Sequence, residues 1–255
     1  MRTDDIRARL TTQLFGREIY YRDVIPSTNI FAKTLLQEGT HEGAVVITDN
    51  QTEGHGRSNR KWYSEPFKNL TFSVIVRPTI APELLCSLSL YAGLSVAEAI
   101  EKITSFQPTC KWPNDVLMNG KKICGILSDA VFEYNQLKGI IIGVGINVNQ
   151  RIFPVELQTT ASSLVLETNR EYDCSALLSL ILERMEHNFQ LVQSGRLDQI
   201  FERWKRYTTM FGQIITVHQT ENIITGIAAR LDEDGGLILL TSSGEQKILA
   251  GDILI

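Results

Sequence analysis

Two runs rich in β-forming residues, TCKWPNDVLM at 109–118 and KKICGILSDAVFE at 121–133, are joined by the dipeptide Asn119-Gly120. A two-residue hairpin turn that matches strand twist needs positive φ at both positions, which asparagine tolerates and glycine adopts freely. The stretch therefore predicts an antiparallel β-hairpin. LKGIIIGVGINVN follows at 137–149, too apolar for a strand with one wet face, so it is expected near the middle of a sheet. Consecutive strands paired in this way do not fit a regular βαβ repeat. The expected class is α+β, with a mixed, largely antiparallel sheet and packed helices.

Local pattern supplies the other elements. Asp4 to Leu14 reads as one short helix, and GREIYYRDVI at 16–25 as a strand. Ser27, after Pro26, is a candidate N-cap for a helix carrying Ile30, Phe31, Leu35 and Leu36 and ending at Gly39. GAVVIT and LTFSVIVRP are strands, and the spacing of Leu, Ala and Ile from Pro82 to about Ile103 is helical. Cys174 to Val192 and Leu197 to Tyr207 give two more helices. From about Phe211 the pattern changes to four short strands, QIITVHQ, NIITGIAARL, GLILLTSS and QKILAGDILI. A segment of about 45 residues cannot enclose a large core. A small β-barrel packed on the main domain is expected, with domains at 1–210 and 211–255.

Composition narrows the function. The net charge of the 255-residue chain is −4, so no overall basic field draws in nucleic acid. The apolar run around Ile140 to Ile142 is too short to span a bilayer, and the charged start MRTDDIRARL does not look like a signal peptide. The expected location is cytoplasmic. Cys86, Cys110, Cys124 and Cys174 show no CxxC spacing and fit buried free thiols. His41, His55, His187 and His218 are equally scattered, so no protein-built metal site is expected.

The exception to this bland charge pattern is QTEGHGRSNRKWYSEP at 51–66. Gly54 and Gly56 flank His55, and Arg57, Arg60 and Lys61 lead to Trp62. Glycines let backbone approach a partner closely, and clustered cations suit an anion such as phosphate; the alternative is a solvated basic loop. The chain has no GxxxxGK[ST] string, and both GHGRSN and GVGINVN lack the third glycine of a dinucleotide fingerprint.

STN at 27–29, QTEGHGRSNRKW at 51–62, KWPNDVLMNGKKICGIL at 111–127 and GVGINVN at 143–149 together resemble the biotin protein ligases. The similarity covers nearly the whole chain, including the C-terminal segment, which it implies is an SH3-like β-barrel. It implies attack of the biotin carboxylate on the α-phosphorus of ATP, brought as its Mg2+ complex. Biotinyl-5′-AMP and pyrophosphate result, and the biotinyl group then passes to a lysine of the biotin carboxyl carrier protein of acetyl-CoA carboxylase or a related carboxylase. Two anions must meet, so cations are needed to offset their repulsion.

The same resemblance implies the residue roles. Arg57, Lys111, Asp115 and Lys122 would be catalytic. Ser27, Thr28, Asn29, Gln51, Gly54, His55, Gly56, Arg57, Lys122 and Gly125 would hold biotin. Arg57, Arg60, Trp62, Lys111, Asn114, Lys122 and Asn147 would hold the nucleotide, with residues 54–57 acting as a lid. By residue type alone, Ser27 is only a cap, Gln51 a surface residue, Trp62 a core residue, Asp115 a turn residue and Lys122 a solvated lysine. The sequence departs from the family's GRGRRGR pattern at His55, Ser58 and Asn59, which bears on how tightly the lid holds the adenylate. About 25 residues precede Ser27, too few for the helix-turn-helix of the bifunctional members. A ligase with no DNA or membrane partner, monomeric or homodimeric, is expected. The alternatives are a lipoate ligase or octanoyl transferase of the same superfamily, and a non-catalytic biotin-binding protein.

Overall fold

A computed structural model describes residues 3–134, 136–219 and 222–254, apart from the side chains of Asn59, Pro82 and Leu254. The chain begins with α1 (Thr3–Arg7), β1 (Ile19–Ile25), α2 (Thr28–Gln37), β2 (Val45–Gln51) and β3 (Leu70–Val76). A 3-10 turn at Pro82–Cys86 leads into α3 (Ser87–Thr104), followed by β4 (Thr109–Lys111), β5 (Asp115–Met118), β6 (Lys121–Glu133) and β7 (Gln136–Ile146). Then come α4 (Leu164–Thr168), α5 (Cys174–Gln193) and α6 (Leu197–Trp204). The main sheet has the order β1-β2-β3-β7-β6-β5-β4, parallel at β1-β2 and antiparallel elsewhere. The mixed sheet, the hairpin at Asn119-Gly120 (φ 50° and 79°) and the central position of β7 agree with the sequence.

The period-2 alternation of β3, β6 and β7 divides the sheet into a core face and a site face. Leu70, Phe72, Val74, Ile126, Ile140, Ile142, Val144 and Ile146 point into the large core formed with α3, α5 and α6. The segment Glu83–Thr104 is apolar and long enough to cross a membrane, but it is mostly buried as the central helix of this core. On the opposite face α2 lays Ala32 and Leu36 against Val46, Ile75 and Ile141. Fully burying one such leucine contributes about 1.5–3 kcal/mol. Beyond α2 that face carries Gly125, Gly143 and Gly145, with Gly125 directly opposite Gly145, and it becomes the floor of a cleft.

The C-terminal strands are β8 (Ile214–His218), β9 (Ile223–Leu231), β10 (Leu237–Thr241), β11 (Gly244–Ile248) and β12 (Asp252–Leu254), in the order β11-β10-β9-β8-β12. QKILAGDILI is thus two strands on opposite edges, with Ile255 outside the described residues. Four Cα steps from Ile248 to Asp252 reach at most about 15 Å. The edges of a flat five-stranded sheet lie about 19 Å apart, so the sheet must curl toward a barrel. Trp112, buried between the two units, donates from Nε1 to Gly235 O at 3.0 Å.

Two other expectations need correction. The first helix stops at Arg7, because the N–H groups of Gln13, Leu14 and Phe15 all donate to the Glu186 carboxylate of α5, at 2.6–2.7 Å. Those charge-assisted bonds hold the chain in a loop. All four cysteines are free thiols, but only Cys110 and Cys124 are fully buried, and burial pushes both thiols well up. Cys86 and Cys174 are partly exposed.

Candidate functional site

The site face opens into a cleft of about 760 Å³, within the range of roughly 300–1,000 Å³ usual for small-molecule sites. One end is built at the start of α2, where Ser27, Thr28 and Asn29 are all at least nine-tenths buried. Ser27 occupies the N-cap position but makes no side-chain capping bond. Gln51, at the end of β2, takes over: its Oε1 accepts from Thr28 N at 2.8 Å and from Thr28 Oγ1 at 3.1 Å. Asn29 is held from three sides, accepting from Ser73 Oγ at 2.6 Å and donating to Asp129 Oδ2 at 2.7 Å and Leu127 O at 3.3 Å. It lies so close to β7 that a Cβ on Gly143 would sit 2.1 Å from Asn29 Oδ1. The neighbouring glycines leave room for Trp62: a Cβ on Gly145 would lie 2.6 Å from its ring, and one on Gly125 3.1 Å.

Trp62 closes a narrow β-hairpin that forms the wall over this floor. Trp62 N donates to Gly54 O at 2.9 Å and Gly56 N to Arg60 O at 2.7 Å, while His55 bridges Lys61. Ser58 turns the tip with a left-handed φ of 54°. A Cβ on Gly54 would lie 2.8 Å from Gln51 Nε2 and push that amide aside, whereas Gly56 has ordinary room at 3.7 Å. His55 Nδ1 lies 3.2 Å from Glu53 O. The Asn59 side chain is outside the described residues. Trp62 Nε1 is buried without a hydrogen-bond partner.

The charged end gathers at the ends of β4, β5 and β6. Lys122 Nζ lies 2.6 Å from Asp115 Oδ1. The approach is too oblique for a directed hydrogen bond, and that oxygen is buried with no donor aimed at it. Lys122 Nζ is also 5.9 Å from the centre of the Trp62 ring. Lys111 is half-buried, and burial is the main cause that lowers its ammonium below the ordinary lysine value. Asn114 is fixed by Nδ2 donating to Ile126 O at 2.7 Å, and its Oδ1 accepts from Arg57 Nη1 at 3.2 Å. The same Arg57 nitrogen reaches Gly251 O at 3.1 Å, and Arg60 Nη2 lies 2.7 Å from Asp252 Oδ1. Asn147 donates to Ser162 O at 2.9 Å, while its buried Oδ1 has no partner. Among the described residues no three His, Cys, Asp or Glu side chains converge as a metal site.

The cleft brings together every residue expected to act or bind in the site except Gly54, which lies behind the wall against Gln51. Sequence reasoning missed Asp129 and Ser73, which orient Asn29, and Gly251 and Asp252, which meet the lid arginines. It also missed the wall formed by Phe153, Leu157 and Thr160, where Thr160 O accepts from Lys122 N at 2.8 Å. The alternation of β6 would have placed Asp129 on the site face, and that of β3 Ser73; nothing local signals the others.

Residues 21–147 match the biotin/lipoate A/B protein ligase family, and residues 210–255 match the biotin protein ligase C terminal domain. The chain is 34% identical over 251 residues to the bifunctional ligase/repressor BirA of Bacillus subtilis, a match spanning 98% of this chain and 77% of that protein. It is 28% identical over 255 residues to the biotin--[acetyl-CoA-carboxylase] ligase of Mycobacterium tuberculosis, spanning 96% of this chain and 93% of that protein. Among solved structures, the biotin protein ligase of Aquifex aeolicus in complex with biotin and ATP superimposes with a TM-score of 0.82 at 32% identity, covering 93% of this chain and 98% of that one.

Proposed function

The chain belongs to the biotin protein ligases, and we propose that its cleft converts biotin and MgATP to biotinyl-5′-AMP, then passes the biotinyl group to one lysine of a biotin carboxyl carrier protein. The observation that carries this is the cleft's polarity. Buried neutral donors and acceptors at 27–29 stand at one end of a glycine floor, and Arg57, Lys111 and Lys122 stand at the other.

Each end suits one partner. The ureido head of biotin needs paired donors and acceptors, which Ser27 and Thr28 offer, while Asn29 is held rigid beside them. Its valeryl chain passes along the side of Trp62, whose ring packs over Gly125 and Gly145, toward the charged end. The carboxylate then reaches Lys122, beside the α-phosphate of ATP. Arg57 uses one nitrogen on two neutral acceptors, so its remaining donors are available to phosphate oxygens. Lys111 adds a second cation, and Trp62 offers a ring face to adenine. Asn147 lines the same cleft, and its buried Oδ1, an acceptor without a donor, would suit the Mg2+ brought with ATP and not a phosphate oxygen. As the carboxylate oxygen bonds to the α-phosphorus, pyrophosphate leaves with its negative charge countered by these cations.

In the second half-reaction the acceptor amine attacks the acyl carbon, AMP departs with the bonding electron pair, and a proton is released. Asp115 stands where it can orient that amine or take the proton. The enzyme would work in the cytoplasm, where ATP and the carboxylase are available.

The test is mass spectrometry of a carrier domain after incubation with the protein, biotin and MgATP. A single biotinyl addition on one lysine is expected; an unmodified carrier with folded protein would refute the reading. Lipoate or octanoate outcompeting biotin would move the protein to the sister activities. Absence of biotin-dependent ATP–pyrophosphate exchange would leave only a binding protein.

A further inference from the structure

The lid is fastened at its tip to the C-terminal sheet. Arg60 Nη2 lies 2.7 Å from Asp252 Oδ1, the first residue of β12, and Arg57 Nη1 lies 3.8 Å from the same oxygen. Arg57 also donates to Gly251 O, the residue just before that strand. Asp252 is 41% exposed and Arg57 24%, so the pairing sits at the rim of the cleft. β12 is itself held by antiparallel pairing to β8, with Ile253 buried beneath it. The lid's own hairpin is closed by backbone bonds from Gly56, Arg60 and Trp62, all internal to residues 54–62. Its position over the floor therefore depends on what holds the tip.

We propose that Asp252 is a positioning residue for the adenylate clamp: from β12 it holds Arg60 and Arg57 over the cleft and so sets how long the lid stays shut. The substrate assignment rests on the ligase reading; the latch itself rests on these contacts. Opening the lid breaks the Arg60 and Arg57 contacts to Asp252 and exposes the mixed anhydride of biotinyl-AMP to solvent. Asp252 touches neither reacting atom, and its effect passes through the two arginines. The carboxylate also lies near enough to Lys111 to favour that lysine's charge. The C-terminal sheet thereby contributes to the site without supplying a ligand to it.

The experiment is amide hydrogen exchange at Gly56 and Trp62 in the parent, Asp252→Asn, Arg60→Gln and the double variant, with dissociation of separately prepared biotinyl-AMP measured alongside. Each single change should speed lid exchange and adenylate release by about two- to fivefold, as expected for a partly solvated ion pair. The double variant should be no worse than either single one. Asp252→Glu should recover most of the protection. Exchange across β8 and β12 should stay at the parent rate. Unchanged lid exchange, additive effects, or equal loosening of β12 would each overturn the latch. If biotinyl-AMP fails to bind the parent at all, the ligase reading falls, while lid exchange still decides the latch.

Discussion

Lys122 Nζ stands 2.6 Å from Asp115 Oδ1 at the phosphate end of the cleft, so one cation serves both a resident carboxylate and the proposed substrate anions. An ammonium has three donors and can engage more than one partner.

Removing that cation should affect adenylation in two ways. A charge-assisted hydrogen bond is worth roughly 1.5–3 kcal/mol, so Lys122→Ala should slow adenylation about ten- to a hundred-and-fifty-fold. It also leaves Asp115 unpaired beside two incoming anions, which pushes the loss toward the upper figure. Asp115→Asn should spare adenylation to within about threefold and slow transfer from preformed biotinyl-AMP by about tenfold or more. Pyrophosphate exchange and single-turnover transfer separate the two steps. Adenylation within about twofold of the parent in Lys122→Ala would reduce Lys122 to a surface lysine.

At the other end, Gly143→Ala should be costly for a purely local reason. The new methyl would lie 2.1 Å from Asn29 Oδ1, and Asn29 is fixed by Ser73, Leu127 and Asp129. Something buried must shift, at about 1–3 kcal/mol, and the start of α2 shifts with it. Urea unfolding and biotin titration should both register the change. Parent-like stability and affinity would show that Asn29 has slack the contacts do not suggest.

Much of this was legible in the sequence because it is local. Asn119-Gly120 forces a hairpin wherever it lies, and alternation along LKGIIIGVGINVN sends Ile142 and Val144 to one face and Gly143 and Gly145 to the other. The unpredicted parts depend on residues far apart in the chain. Glu186 ends the first helix from more than 170 positions away, Gln51 replaces Ser27 as the cap of α2 across 23 positions, and Asp252 meets Arg60 across 192. Periodicity carries no information about such encounters. QKILAGDILI reads as one strand because Leu249–Gly251 offer no strong turn signal, although pairing with opposite edges splits it.

The lid also carries the departure at His55. Its imidazole lines the cleft and contacts the Glu53 carbonyl, and it lacks the planar fork of donors that an arginine presents. His55→Arg should therefore slow release of biotinyl-AMP, by about two- to tenfold for one added charged contact to phosphate. The measurement is the dissociation rate of preformed adenylate without acceptor. Equal rates would mean that residue 55 only lines the wall and that Arg57 alone grips the phosphate.

Lys111 links pH to both stability and nucleotide binding, with opposite signs. Burial lowers its ammonium from the ordinary value of 10.5, Lys122 and Arg60 push the same way, and Asp115 and Asp252 partly oppose them. Between the lowered value and 10.5 the unfolded chain binds more protons than the folded one, so this group's contribution to stability rises with pH in that window. Below the window the lysine is charged in both states, and folding bears the cost of its burial. Nucleotide binding runs the other way, because a neutral amine no longer counters the phosphate charge. KM for ATP should therefore climb as pH rises through the same window. Lys111→Arg keeps its charge throughout and should hold a flat KM. Steady-state kinetics and urea unfolding of both proteins from pH 7.5 to about 10 would show the two trends diverging in the parent alone. Superimposable KM profiles for the parent and Lys111→Arg would remove Lys111 from the nucleotide site.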